Sequence, residues 1–105
     1  MERNLREICR GLELLECRGP LDVAIAGLAY DSRAVKPGYL FFALPGLHAD
    51  GRRFIGPAIA AGAVAVIHEG ELESYDPWIA YLRVPSSRYA MSPVAAAFFG
   101  HPSRS

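Results

Sequence analysis

Leu5, Ile8, Leu12 and Leu15 recur at helical spacing with Arg and Glu between them, which predicts an amphipathic helix over residues 4–16. Asn4, with Glu7 three residues on, offers its N-terminal cap, and Arg18-Gly19-Pro20 its stop. From Val23 to Tyr30 the residues are small and apolar, broken once at Gly27, as in a strand with a bend. Lys36-Pro37-Gly38 places Pro and Gly at the two central positions of a type II turn. Tyr39 to Leu44 is an apolar run without alternation, so it reads as a strand buried on both faces. Phe54, Ile55, Ala58 and Ile59 share one helical face, with Asp50 a candidate cap upstream, Pro57 in the first turn and Gly62 a stop. Ala63 to Ile67 is a second buried-strand run. Residues 39–67 therefore form one strand–helix–strand unit, which requires parallel pairing.

Residues 68–77 are acidic and end in Pro77, as in a surface loop. Trp78 to Val84 is a further strand. Ser86 or Ser87 caps a last helix running to Phe99, with Pro93 inside it marking a kink or a restart. Helices at both ends with strands between them make an α/β domain, a small mixed sheet flanked by helices. The 105 residues are one domain, 1–105, with no repeat and no linker.

Composition narrows the function classes. Eleven Lys and Arg balance eleven Asp and Glu, so no net charge draws the chain to nucleic acid or an anionic membrane. No apolar run approaches the ~20 residues of a membrane span, and the opening MERNLREICR is no signal peptide. On one helix, Cys9 and Cys17 would lie about 12 Å apart, beyond the ~7 Å reach of a disulfide. Two reduced thiols imply a cytoplasmic protein.

His48, His68 and His101 are scattered over different elements, and no metal site is expected. The only lysine, Lys36, follows Val35, so there is no Gly-Lys-Ser/Thr phosphate loop. No Gly-x-Ser-x-Gly occurs, and no catalytic residue is assigned. Two segments remain where buried strands end. Tyr30-Asp31-Ser32-Arg33 is either a turn that satisfies its own backbone or part of a site. Gly46 to Gly51 is either a strand-to-helix connection or a small-molecule loop, because ligands of open α/β sheets lie outside the carboxyl ends of the strands.

These segments follow one another in a familiar order. Tyr30-Asp31-Ser32-Arg33 precedes Val35 to Gly46, then Asp50-Gly51-Arg52-Arg53-Phe54-Ile55, then Ala58 to Val66. Val84 to Met91 and Ala95 to Ser103 continue the pattern. From about residue 22 onward the chain resembles the N-terminal domain of the Mur ligases of peptidoglycan synthesis, and within them the branch that adds the third stem-peptide residue. The resemblance implies a domain that holds the UDP end of a UDP-MurNAc-L-Ala-D-Glu substrate and docks on an ATP-binding domain beyond this chain. The whole enzyme would use ATP and Mg²⁺ to join the third amino acid, meso-diaminopimelate by prevalence. This chain alone would bind neither and catalyse nothing.

Carried over by motif, Tyr30 lies against the uridine, Ser32 contacts the UDP part, and Leu47, His48 and Ala49 bracket the uracil. Asp31 and Arg33 serve the turn as an anchor and its pairing cation. Two rivals stand beside this reading: the branch that adds the terminal D-Ala-D-Ala dipeptide, and a free-standing nucleotide-binding module.

Overall fold

The computed structural model describes residues 3–10, 12–43, 54–70, 72 and 75–99. Its centre is a five-stranded sheet of β2 (Glu16–Arg18), β4 (Gly27–Ala29), β5 (Tyr39–Phe42), β6 (Ala65–His68) and β7 (Ala80–Arg83). The spatial order is β2-β7-β6-β5-β4. β4 to β7 are parallel neighbours, and β2 closes the far edge antiparallel to β7. The expected mixed sheet is therefore present. A separate two-stranded ribbon pairs β1 (Arg3–Asn4) with β3 (Ala24–Ile25).

The expected strand–helix–strand unit is β5, α2 (Ile55–Ala60) and β6. Its strands are buried on both faces, as their unbroken apolar runs require. On one face, Leu40, Phe42, Ala65, Ile67, Ala80 and Leu82 pack under α1 (Leu5–Cys9) and α3 (Ser87–Phe99). Helix α3 contributes Ala90, Val94 and Phe98, one turn apart each, and α1 contributes Leu5 and Ile8. On the other face, Phe41, Val66 and Tyr81 pack with Ile55 and Ala58 of α2. Pro57 is the third residue of α2, where a missing N–H leaves no helical bond unmade. Helix α3 is a single helix through Pro93, so it does not restart there, and the Ser86 hydroxyl accepts from the Tyr89 N–H at its start.

The Lys36–Tyr39 turn forms as expected. Gly38 has φ +88°, and the Tyr39 N–H donates to the Lys36 carbonyl at 3.1 Å. Gly62, at φ +119°, takes the chain out of α2, and its carbonyl accepts from the Gly38 N–H at 2.9 Å. Turn and helix end are thereby clasped together.

The predicted helix over 4–16 is corrected. Asn4 does cap α1, accepting from the Arg6 N–H at 2.9 Å, but the helix ends at Cys9. Leu12 and Leu14 are half-buried against the core while Glu13 and Leu15 are exposed, a period of two rather than 3.6. The segment then becomes β2. Cys17 lies on that strand, so the helical spacing argued for the two cysteines does not apply; Cys17 itself is an exposed free thiol. The strand read over 23–30 is two short strands, β3 and β4, separated at Ala26. Asp50, the expected cap of α2, lies outside the described residues.

Candidate functional site

The carboxyl ends of four parallel strands lie side by side, and the glutamate that begins β2 joins them opposite Arg83. This is the edge where open α/β sheets receive ligands. Beyond β4 come Tyr30, Asp31 and Ser32; beyond β6 come Glu69 and Gly70; beyond β7 come Val84 to Ser86.

The Asp31 segment is built from its own side chains. Asp31 caps a 3-10 turn over Ser32–Ala34 by accepting from the Arg33 N–H at 2.9 Å. The Arg33 guanidinium closes the same carboxylate with Nε on Oδ1 at 3.2 Å and Nη2 on Oδ2 at 2.9 Å. These bonds from Arg33 hold the Asp31 carboxyl down at about 2, and the carboxylate in turn raises the Arg33 pKa. Anchor and pairing cation are thus as the sequence predicts. Both charges are spent on each other, which leaves Ser32 and Tyr30 as the groups the turn presents. Ser32 is half-buried, and among the described residues its hydroxyl has no hydrogen-bond partner. Tyr30 is 45% exposed, and its ring stands 5.0 Å from that of Phe42, tilted by 35°.

Tyr30 and Ser32 are therefore brought together on one turn at the sheet edge. Leu47, His48 and Ala49 lie outside the described residues. The chain enters that loop from Ala43, whose N–H donates to the Ile67 carbonyl at 2.9 Å.

A second group on this edge was not foreseen. His68, at the end of β6, is 1% exposed and sits 6.3 Å from Tyr75 and 6.1 Å from Tyr81 between ring centroids. Its Nδ1 donates to the Gly70 carbonyl at 3.0 Å. Burial lowers its pKa more than the backbone carbonyls raise it, and the Arg83 charge lowers it further. Arg18 covers the Tyr75 ring at 4.1 Å and pairs with Glu16 at 2.8 Å. Glu16 also faces Arg83 at 4.0 Å, and the Arg83 Nε is buried without a hydrogen bond among the described residues. The signal was available in outline: the apolar run through Ile67 continues one residue further as strand, which takes His68 inside.

Among the described residues no group of three or more His, Cys, Asp or Glu could hold a metal ion. Among them, too, no helix is long and apolar enough to cross a membrane.

What the fold defines is an α/β domain whose mixed sheet leaves the carboxyl ends of its four parallel strands side by side at one edge. Comparison with known proteins makes this specific. The model of the Mur ligase family, catalytic domain, matches residues 24–101. The UDP-N-acetylmuramyl-tripeptide synthetase of Roseiflexus sp. (strain RS-1) is 48% identical over 85 residues, covering 81% of this chain and 17% of that protein. The UDP-N-acetylmuramoyl-L-alanyl-D-glutamate–2,6-diaminopimelate ligase of Syntrophomonas wolfei is 45% identical over 101 residues, covering 96% of this chain and 20% of that protein. Among solved structures, the UDP-N-acetylmuramoylalanyl-D-glutamyl-2,6-diaminopimelate–D-alanyl-D-alanyl ligase of Acinetobacter baumannii superposes with a TM-score of 0.75 at 23% identity, over 92% of this chain and 21% of that one. That likeness concerns the fold.

The chain belongs to the Mur ligase family. It spans about a fifth of the length of the curated relatives it matches.

Proposed function

We propose that this chain is the substrate-holding domain of a ligase that adds the third amino acid to a UDP-MurNAc-dipeptide in peptidoglycan precursor synthesis. The single observation that carries the reading is the self-neutralised Asp31–Arg33 clasp, which presents Ser32 and Tyr30 at the carboxyl edge of the parallel sheet. A diphosphate approaching this turn meets no uncompensated carboxylate. Ser32 offers a hydroxyl donor to a ribose or phosphate oxygen. Tyr30 offers an apolar face to the base. Leu47, His48 and Ala49 complete the set by bracketing the uracil, whose fixed donor–acceptor edge suits backbone N–H and C=O groups.

The names of the relatives, at 45–48% identity, support the tripeptide-forming reaction, with 2,6-diaminopimelate as the incoming amino acid. The reaction's ATP and Mg²⁺ belong to a domain outside residues 1–105, on which this one docks. Lys36 follows a valine rather than a glycine, so the Gly-Lys-Ser/Thr phosphate loop does not occur in residues 1–105.

The test is an amide NMR titration of the chain with UDP-MurNAc-dipeptide, with ATP as the control. The expected result is a set of shifts centred on residues 30–33 and 46–51, with millimolar affinity, roughly −4 kcal/mol, and no response to ATP. A well-dispersed spectrum that responds to neither ligand would refute a preformed uridine site.

A further inference from the structure

We infer that Phe42 is a positioning residue for a pyrimidine nucleoside diphosphate, acting through the ring of Tyr30. The inference rests on the uridine-docking reading above and adds a determinant to it.

Tyr30 is the first residue past β4, an edge strand. A tyrosine there, 45% exposed, would ordinarily sample several rotamers. Here its ring is backed by Phe42 at 5.0 Å. Phe42 itself cannot yield. It is fully buried, ends a strand flanked by β4 and β6, and shares its core with Leu40, Ile67 and Leu82. The register sets the contact, since Ala29 pairs with Phe41 and the next residues along the chain are Tyr30 and Phe42. The outcome is a ring held in place from behind with part of its surface open at the ligand edge.

An aromatic surface of this kind suits a flat base, because stacking tolerates any base with a π face and costs little when the platform is already ordered. Ser32 stands two residues along the same turn, with its hydroxyl unpartnered among the described residues. Ring and hydroxyl together match the two ends of a nucleoside, base and sugar-phosphate. Arg33 holds the intervening Asp31 carboxylate, so the diphosphate is not repelled. Phe42 touches no ligand in this arrangement; it fixes the plane on which the base rests.

The experiment titrates the 105-residue chain with UDP and reads two quantities by NMR, the Kd and the upfield ring-current shift of uracil H5 and H6. The variants are Tyr30→Leu, Phe42→Leu, the double variant, and Leu82→Val as a core change remote from Tyr30. Tyr30→Leu is expected to weaken binding roughly tenfold, the size of one lost base–aromatic stack, and to abolish the upfield shift. Phe42→Leu, with Tyr30 still present, is expected to lose several-fold in affinity and most of the upfield shift. The double variant should bind no more weakly than Tyr30→Leu, because both changes remove the same platform. Leu82→Val should leave both readouts unchanged. If Phe42→Leu does not give a dispersed spectrum, Phe42→Met replaces it at similar volume.

Wild-type affinity and shift in the Phe42 variant would overturn the inference while the uridine reading stands. Additive losses in the double variant would do the same. An absence of any UDP-induced change in the wild-type chain would bring down the uridine reading, and this inference with it.

Discussion

Replacing Gly62 by alanine tests how tightly the corner between α2 and β6 is locked to the turn before β5. Gly62 has φ +119°, outside the region an L-residue populates readily. A Cβ there would lie 2.5 Å from Pro37 Cα and 2.7 Å from Pro37 N. Ordinary carbon contacts are about 3.5–4.0 Å, so the corner and the turn would have to part by about 1 Å. Both obstacles are backbone atoms, and the turn is tied to Gly62 by the 2.9 Å bond from the Gly38 N–H. The backbone strain alone costs about 1–3 kcal/mol. With the loosened turn, the sum is about 3 kcal/mol. For a domain near 100 residues that lowers the melting temperature by about 12–24 °C. Gly56→Ala is the matched control. It lies early in α2, and beyond its chain neighbours and the helix's own backbone nothing lies within 4 Å of its added Cβ; the crowding that Pro57 imposes on a side chain before it offsets the gain in helix propensity, so the change should stay within about 1 kcal/mol of wild type. Urea denaturation followed by circular dichroism compares the two. A Gly62→Ala chain within 1 kcal/mol of wild type at unchanged m-value, by the usual linear extrapolation, would refute the steric argument.

Other outcomes follow from the same structure. His68 is buried and its pKa lies below 6.5, so the unfolded chain takes up a proton that the folded one does not. Stability is then fully present above that value and falls as pH drops toward the folded pKa, by at most about 1.4 kcal/mol per pH unit. Urea midpoints between pH 7 and 5 should show this slope in the wild-type chain and lose it in His68→Gln; equal slopes would discount the burial argument. Asp31, held at about 2, supports its turn fully above its ordinary 3.8 and releases it as pH falls through about 2. The Arg33 amide should therefore exchange more slowly than its intrinsic rate down to about pH 3 in the wild type, and at its intrinsic rate at every pH in Asp31→Ala. Leu82→Ala, at a fully buried position of β7, should cost about 2–5 kcal/mol by urea denaturation.

The parallel unit from β5 to β6 was legible because both strands are unbroken apolar runs, and because the Pro37-Gly38 turn and the Gly62 exit punctuate them. The Asn4-capped start of α1 was legible too, but the path of residues 12–18 was not. Leu5, Ile8, Leu12 and Leu15 fit a helix, yet Leu12 and Leu14 fit a strand approach equally well, and short segments satisfy both periods. Pairing with β7, a contact distant in sequence, settled it for residues 16–18. At the site, the chemistry of Asp31 and Arg33 was readable locally, since cap and ion pair form within three residues. The roles of Tyr30 and Ser32 came from resemblance to a family. The support that Phe42 lends to Tyr30 was hidden, because it depends on the register between two parallel strands, and no local pattern encodes that register.

The sheet's strand order bears on how the chain is made. β4 to β7 lie beside one another in the order of synthesis, so each finds its neighbour as soon as it emerges. β2 is the exception. It leaves the ribosome before any of them but pairs only with the last, Cys17 opposite Leu82. At about 5–20 residues per second, it waits several seconds while roughly sixty residues are added. During that interval Leu12 and Leu14 are uncovered. Glu13 lies between them and Glu16 and Arg18 follow, and charges so placed discourage association with other nascent chains. In the finished molecule Glu16 and Arg18 change employment, pairing with each other and reaching toward Arg83 and Tyr75. The same residues thus act first as gatekeepers of an early strand and then as the fastening that completes the sheet.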